Sequence, residues 1–157
     1  MKVAHIATSI IINCLRFVLA LVFAFSGLVK AVDPMGTVYK LADYAEAFGL
    51  SVHPGLLLGG AVLLILLEYV MGVCLLFGLY RRFYLSGMIA FLLVMTPLTL
   101  YLAIYNPVSD CGCFGDAVML TNWQTFGKNV VLLLMAIVVF GKEKSILLKA
   151  SLWLFVI

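Results

Sequence analysis

The sequence predicts an all-α membrane protein: a four-helix transmembrane bundle with a short amphipathic helix on its outer face between spans 1 and 2. Three observations lead there. Of 157 residues, 66% are hydrophobic and only 11% charged, and the mean hydropathy is +1.23, far from the balance of a soluble domain. Apolar runs recur near the roughly 20 helical residues that a hydrocarbon core about 30 Å thick requires, and the chain has room for four of them. Basic residues are distributed unevenly among the gaps between these runs, as membrane topology demands. The net charge of +3 is small and dispersed, which argues against a nucleic-acid surface and leaves membrane lipid as the first partner.

The spans are expected at about 6–29, 56–79, 83–105 and 123–140, forming with their connections one membrane domain over 1–144. In the first, Arg16 interrupts the apolar run, and the run is longer than the apolar core of a cleaved signal peptide, so it reads as a span. Asp33-Pro34 then supplies a helix cap and a first-turn proline. Val38, Leu41, Ala45 and Phe48 follow at helical spacing, with Lys40, Asp43 and Glu46 mostly opposite, before Gly49 closes the segment. The second span carries Glu68 near its centre, where a carboxyl is costly unless protonated or paired. Arg81-Arg82 leads into the third span, in which Thr96-Pro97 predicts a kink. Thr121-Asn122-Trp123-Gln124 matches a capping box that opens the fourth. The segment 145–157 reads either as an interfacial helix or as the start of a further span.

Seven of the ten basic residues (Lys2, Arg16, Arg81, Arg82, Lys142, Lys144 and Lys149) fall at one set of span ends, so the positive-inside rule places both termini in the cytoplasm. The other loops, which contain Asp33, Asp43, Glu46, Asp110 and Asp116, then face outward.

The outward stretch Ser109-Asp110-Cys111-Gly112-Cys113-Phe114-Gly115-Asp116 holds two cysteines one residue apart. Outside the cytoplasm such thiols oxidise readily, but a bridge over one intervening residue strains the backbone, and strain makes a disulfide easier to reduce. A staple across so short a loop removes little chain entropy, which favours a redox role for Cys111 and Cys113 over a structural one. The positive end of the helix that begins at Trp123, with Lys128 little more than a turn further on, would favour a thiolate. No metal is expected, because zinc needs about four ligands and the loop adds only Asp110 and Asp116. Arg16 lies close enough in depth to pair with Glu68, which would make these two either a clamp between helices or a proton or ligand site. Cys14 and Cys74, in the inner halves of spans 1 and 2, read as packing, as do the small pairs Ser26-Gly27 and Gly59-Gly60.

Taken together, several pieces resemble the DoxX superfamily and, within it, the MauE-like branch named for a methylamine-utilisation membrane protein. They are Arg16, the run Phe23-Ala24-Phe25-Ser26-Gly27-Leu28-Val29-Lys30 with Asp33-Pro34, Glu68-x-x-x-Gly72, and Cys111-Gly112-Cys113-Phe114-Gly115 with Trp123 and Lys128-Asn129. The likeness spans almost all of residues 10–140. It implies a bundle in the bacterial inner membrane that supports disulfide formation or electron supply for periplasmic, often thioredoxin-like, partners, with quinone reduction known in one branch of the superfamily.

The expected function is therefore an inner-membrane thiol and disulfide redox protein. Cys111 and Cys113, assisted by Lys128, would exchange electrons with a periplasmic thiol partner, with a membrane quinone held near Arg16 and Glu68 as the acceptor. The alternative is a non-catalytic anchor or assembly subunit for such a partner. A solute carrier built around Arg16 and Glu68 lacks the inverted repeat and the broken helix pair of that class.

Overall fold

The structure, a computed structural model, describes residues 2–108, 112 and 120–143, with side chains described from Ile6 onward. Cys111, Cys113, Asp110, Asp116 and the segment 145–157 lie outside the described residues. Five helices follow in order: α1 (Lys2–Val32), α2 (Pro34–Ala47), α3 (Pro54–Leu76), α4 (Arg81–Tyr105) and α5 (Asn122–Glu143). Ile6–Val32 of α1 and the whole of α3, α4 and α5 are long and apolar enough to cross a membrane, and they form an all-helical bundle. α1 packs chiefly on α3 and α4 on α5, while α2 crosses the end of the bundle against α3.

A central cluster that includes Leu19, Phe23, Leu75, Leu85, Met88, Leu92, Ala136 and Val139 is closed off, whereas equally apolar residues such as Leu63, Leu66, Val94 and Leu134 face outward. In a membrane both faces of a helix favour apolar side chains, so small residues and interhelical polar bonds decide which face packs.

Local sequence explains the element ends. Asp33 caps α2 by accepting a hydrogen bond from the Gly36 N–H at 3.0 Å, Pro34 occupies the first turn, and Gly49 ends the segment at φ +69°. His53 caps α3, its Nδ1 accepting from the Gly55 N–H at 3.1 Å. The capping box of α5 is reciprocal. The Gln124 N–H donates to Thr121 Oγ1 at 3.3 Å, and the Thr121 N–H donates to Gln124 Oε1 at 3.0 Å. Gln124→Ala should cost about 1 kcal/mol or less, read as a small drop in melting temperature in detergent.

α4 runs helical through Pro97. Beside it the Thr96 hydroxyl donates to the Leu92 carbonyl at 2.7 Å, and that of Thr99 donates to the Met95 and Thr96 carbonyls. Asn122, buried at the start of α5, donates through Nδ2 to the Leu102 and Val108 carbonyls and to Asn106 Oδ1, joining the ends of α4 and α5.

The bundle therefore has two distinct ends. One carries α2 and the connection from Asn106 to Thr121. The other carries the tight turn between α3 and α4, with Gly78 at φ +73° and Tyr80 at φ +37°, together with the start of α1 and the end of α5.

Candidate functional site

Two glycines bring α1 and α3 into backbone contact. A methyl group on Gly27 would lie 2.5 Å from the Tyr69 nitrogen, and one on Gly72 would overlap the backbone of Ala24. Ser26 and Lys30, one turn apart, thereby face Glu68 on α3. The Lys30 ammonium donates to both Glu68 oxygens, at 2.7 and 2.6 Å, the Ser26 hydroxyl donates to Oε2 at 2.7 Å, and Lys30 also reaches the Ser26 oxygen at 3.3 Å. All three residues are buried. Three hydrogen bonds satisfy the carboxylate inside the bundle.

This corrects the expected pairing of Arg16 with Glu68. Lys30 takes that place because it lies on the same helix at the depth of Glu68, whereas Arg16 sits at the turn end. There its Nη1 donates to the Leu75 carbonyl at 3.4 Å, and its electrostatic neighbours are Arg81 and Glu143. Among the described residues Gly59-Gly60 seats no helix backbone: nothing lies within 4 Å of a methyl group on Gly59, and Gly60 meets only a Leu41 methyl at 3.7 Å.

The Lys30–Glu68 pair forms one wall of a cavity of about 110 Å³ at the α2 end. Phe23, Phe91, Leu92, Met95, Leu98 and Leu132 supply apolar walls, α2 roofs it with Thr37, Lys40 and Tyr44, and α5 contributes Lys128 and Asn129. Gly112, the residue between the two cysteines, also lines it. At φ +61° Gly112 holds a left-handed conformation, and a methyl group there would stand 2.9 Å from the Lys40 Cγ. Lys40, expected opposite the apolar face of α2, thus lines the cavity and lays its stem against Gly112.

Of the sequence-derived site residues, Glu68 and Lys128 share this cavity, Arg16 does not, and Cys111 and Cys113 flank a described residue of its lining. Sequence reasoning passed over Lys30, Thr37 and Tyr44 as site residues. Ser26-x-x-x-Lys30 at the end of an apolar span, one turn apart on one face, was the available signal for the first.

The Thr37 hydroxyl is buried and has no hydrogen-bond partner among the described residues, although it lines the cavity. An unpaired buried hydroxyl costs about 1–3 kcal/mol, a cost a ligand accepting from it would remove. Thr37→Val, of similar shape, should stabilise the ligand-free protein by about 1 kcal/mol, read as a rise in melting temperature.

Chemically the site offers an apolar space of about 110 Å³, one buried cation with its counterion, a hydroxyl without a partner among the described residues and two further lysines, Lys40 and Lys128. Among the described residues no three His, Cys, Asp or Glu side chains cluster as metal ligands.

Neither the comparison with curated proteins nor that with solved structures finds a match. The family model described as methylamine utilisation protein MauE matches residues 8–141, which takes in the paired α1 and α3, the roofing helix, the Cys-Gly-Cys loop and nearly all of α5, and the chain belongs to that family.

Proposed function

We propose that this chain is a thiol and disulfide exchange protein of the bacterial inner membrane that serves methylamine utilisation, with both termini in the cytoplasm and the Cys-Gly-Cys loop in the periplasm. A periplasmic thiol protein, thioredoxin-like in character, delivers its electrons to a Cys111–Cys113 disulfide. One partner thiolate attacks, a mixed disulfide forms, and the second partner thiol resolves it. The partner leaves as a disulfide, and Cys111 and Cys113 hold the two electrons as thiols. Lys128 and the start of α5 favour the thiolate form of the leaving sulfur.

The supporting observation is that Gly112, between the two cysteines, lines the same cavity as the buried Lys30–Glu68 pair. A membrane quinone supplies the matching oxidant, since it takes up two electrons and two protons from the thiols and so restores the disulfide. The residues present suit its ring: flat apolar walls from Phe23 and Phe91, the unpartnered Thr37 hydroxyl to donate to a ring oxygen, and the Lys30 ammonium beside it. Their work is to bind and orient the ring and to exclude water, with Glu68 as the counterion that positions Lys30.

The test is the redox state of Cys111 and Cys113 in intact cells, read by mass shift with a membrane-impermeant thiol reagent before and after mild reduction. Labelling only after reduction, with a partner trapped as a mixed disulfide in Cys111→Ser or Cys113→Ser, is the expected result. Thiols that label at once and trap nothing would favour the non-catalytic anchor. For the acceptor step, purified protein with a reduced dithiol and a short-chain quinone should form quinol faster than the Cys111→Ser, Cys113→Ser double variant, and equal rates would refute it.

A further inference from the structure

We propose that the turn end of the bundle binds an anionic phospholipid, with its phosphate held by Arg16 and Arg81 and an acyl chain lying in the groove between α3 and α4. Arg16 and Arg81 converge on the turn after α3, where a methyl group on Gly78 would stand 2.9 Å from an Arg81 Nη and 3.2 Å from an Arg16 Nη. Arg81 also donates from Nε to the Gly78 carbonyl at 3.3 Å.

Among the described residues the carboxylate beside them is Glu143, almost fully buried and 3.5 Å from Arg81 Nη1, and there two guanidiniums share that one counterion. Among the described residues the supply of acceptors is also short: Arg16 Nε is buried without a hydrogen-bond partner, and its Nη1 has a backbone carbonyl at 3.4 Å. The Arg81 side chain remains 20% exposed, so a ligand can reach it. Arg82 adds a third cation next in sequence, set over the Phe140 ring at 5.4 Å. A phosphate monoanion offers the planar donors of two guanidiniums the acceptors that one carboxylate cannot.

Depth selects the source of that phosphate. A turn between two spanning helices cannot lie in the hydrocarbon, so Arg16, level with the turn, stands at the headgroup layer. On the membrane side of the same turn, a groove of about 350 Å³ runs between α3 and α4, lined by Leu63, Leu66, Leu67, Val70, Phe83 and Gly87, among others. Phe83 and Tyr84, at its end, directly follow Arg81 and Arg82 in sequence. Apolar groove and cationic end together match an amphiphile with an anionic head.

The full chain, purified in a neutral detergent, would be mixed with phosphatidylglycerol or phosphatidylcholine of identical acyl chains, and the lipid retained read by native mass spectrometry. Phosphatidylglycerol should be retained at least about tenfold better, with that preference lost in Arg16→Gln and in Arg81→Gln but kept in Lys142→Gln, which removes an exposed charge from α5. Arg81→Gln strands Glu143, so the Arg81→Gln, Glu143→Gln pair repeats the test without an unpaired carboxylate. Gly87→Leu, which fills the groove, should weaken phosphatidylglycerol retention while leaving both arginines in place. Equal retention of the two lipids, a preference that survives both arginine variants, or displacement of phosphatidylglycerol by millimolar inorganic phosphate would overturn the proposal.

Discussion

Replacing Lys30 with Met should destabilise the protein by about 3–5 kcal/mol, while replacing Lys30 with Met and Glu68 with Leu together should cost far less. The single change leaves the Glu68 carboxylate buried in α3 with only the Ser26 hydroxyl donating to it, and a carboxyl in that state must either carry an uncompensated charge in a low-dielectric interior or take up a proton. The double change removes both charges and leaves apolar groups of similar volume in their place. Denaturation in detergent micelles measures both. Equal losses in the single and double variants would mean that the pair contributes packing rather than charge compensation. If the cavity serves an acceptor, the double variant, though the more stable, should lose thiol reoxidation as fully as Lys30→Met, which separates the role of the pair in the site from its role in the fold.

Gly72→Ala is expected to be the second large effect, at or beyond the upper end of the 1–3 kcal/mol typical of overpacking. The added methyl meets the backbone of Ala24, which cannot swing aside as the end of a side chain could, so α1 and α3 must separate. Separation would lengthen the 2.6 Å Lys30–Glu68 contact one turn away. The effect should therefore be coupled to the pair: in a cycle with Glu68→Gln, the two losses should fail to add by more than about 0.5 kcal/mol. Strict additivity would show that the helix contact and the ion pair are independent. Gly59→Ala is the contrast within the same helix. Its added methyl meets nothing among the described residues, and the change should gain several tenths of a kcal/mol from helix propensity.

The element ends were legible in the sequence because they are made by short-range chemistry. Asp33-Pro34 and Thr121-x-x-Gln124 act over three residues, and the structure shows the hydrogen bonds their spacing requires. The partner of Glu68 was not legible, because depth along a helix is uncertain by a turn when span boundaries are read from hydropathy. Arg16 and Lys30 lie on the same helix, and only the Gly27 and Gly72 contacts set the register that selects Lys30. The place of Lys40 in the cavity lining escaped for a related reason: a polar face on a surface helix looks the same whether it meets water or a cavity lined by other polar groups.

What the sequence determined by itself was the number and nature of the spanning helices, the short roofing helix, the caps and the unusual Cys-Gly-Cys loop, since length, hydropathy and local hydrogen bonding are properties of contiguous residues. Tertiary structure decided which residues meet. In a helix that is apolar on every side, lipid and protein are equally good neighbours for Leu and Val, and the facing surface is chosen by where a missing side chain allows backbones to touch and where a buried charge finds its counterion. That choice brings Lys30, Glu68, Lys128 and Gly112 around one cavity and leaves Arg16 with Arg81 at the opposite end.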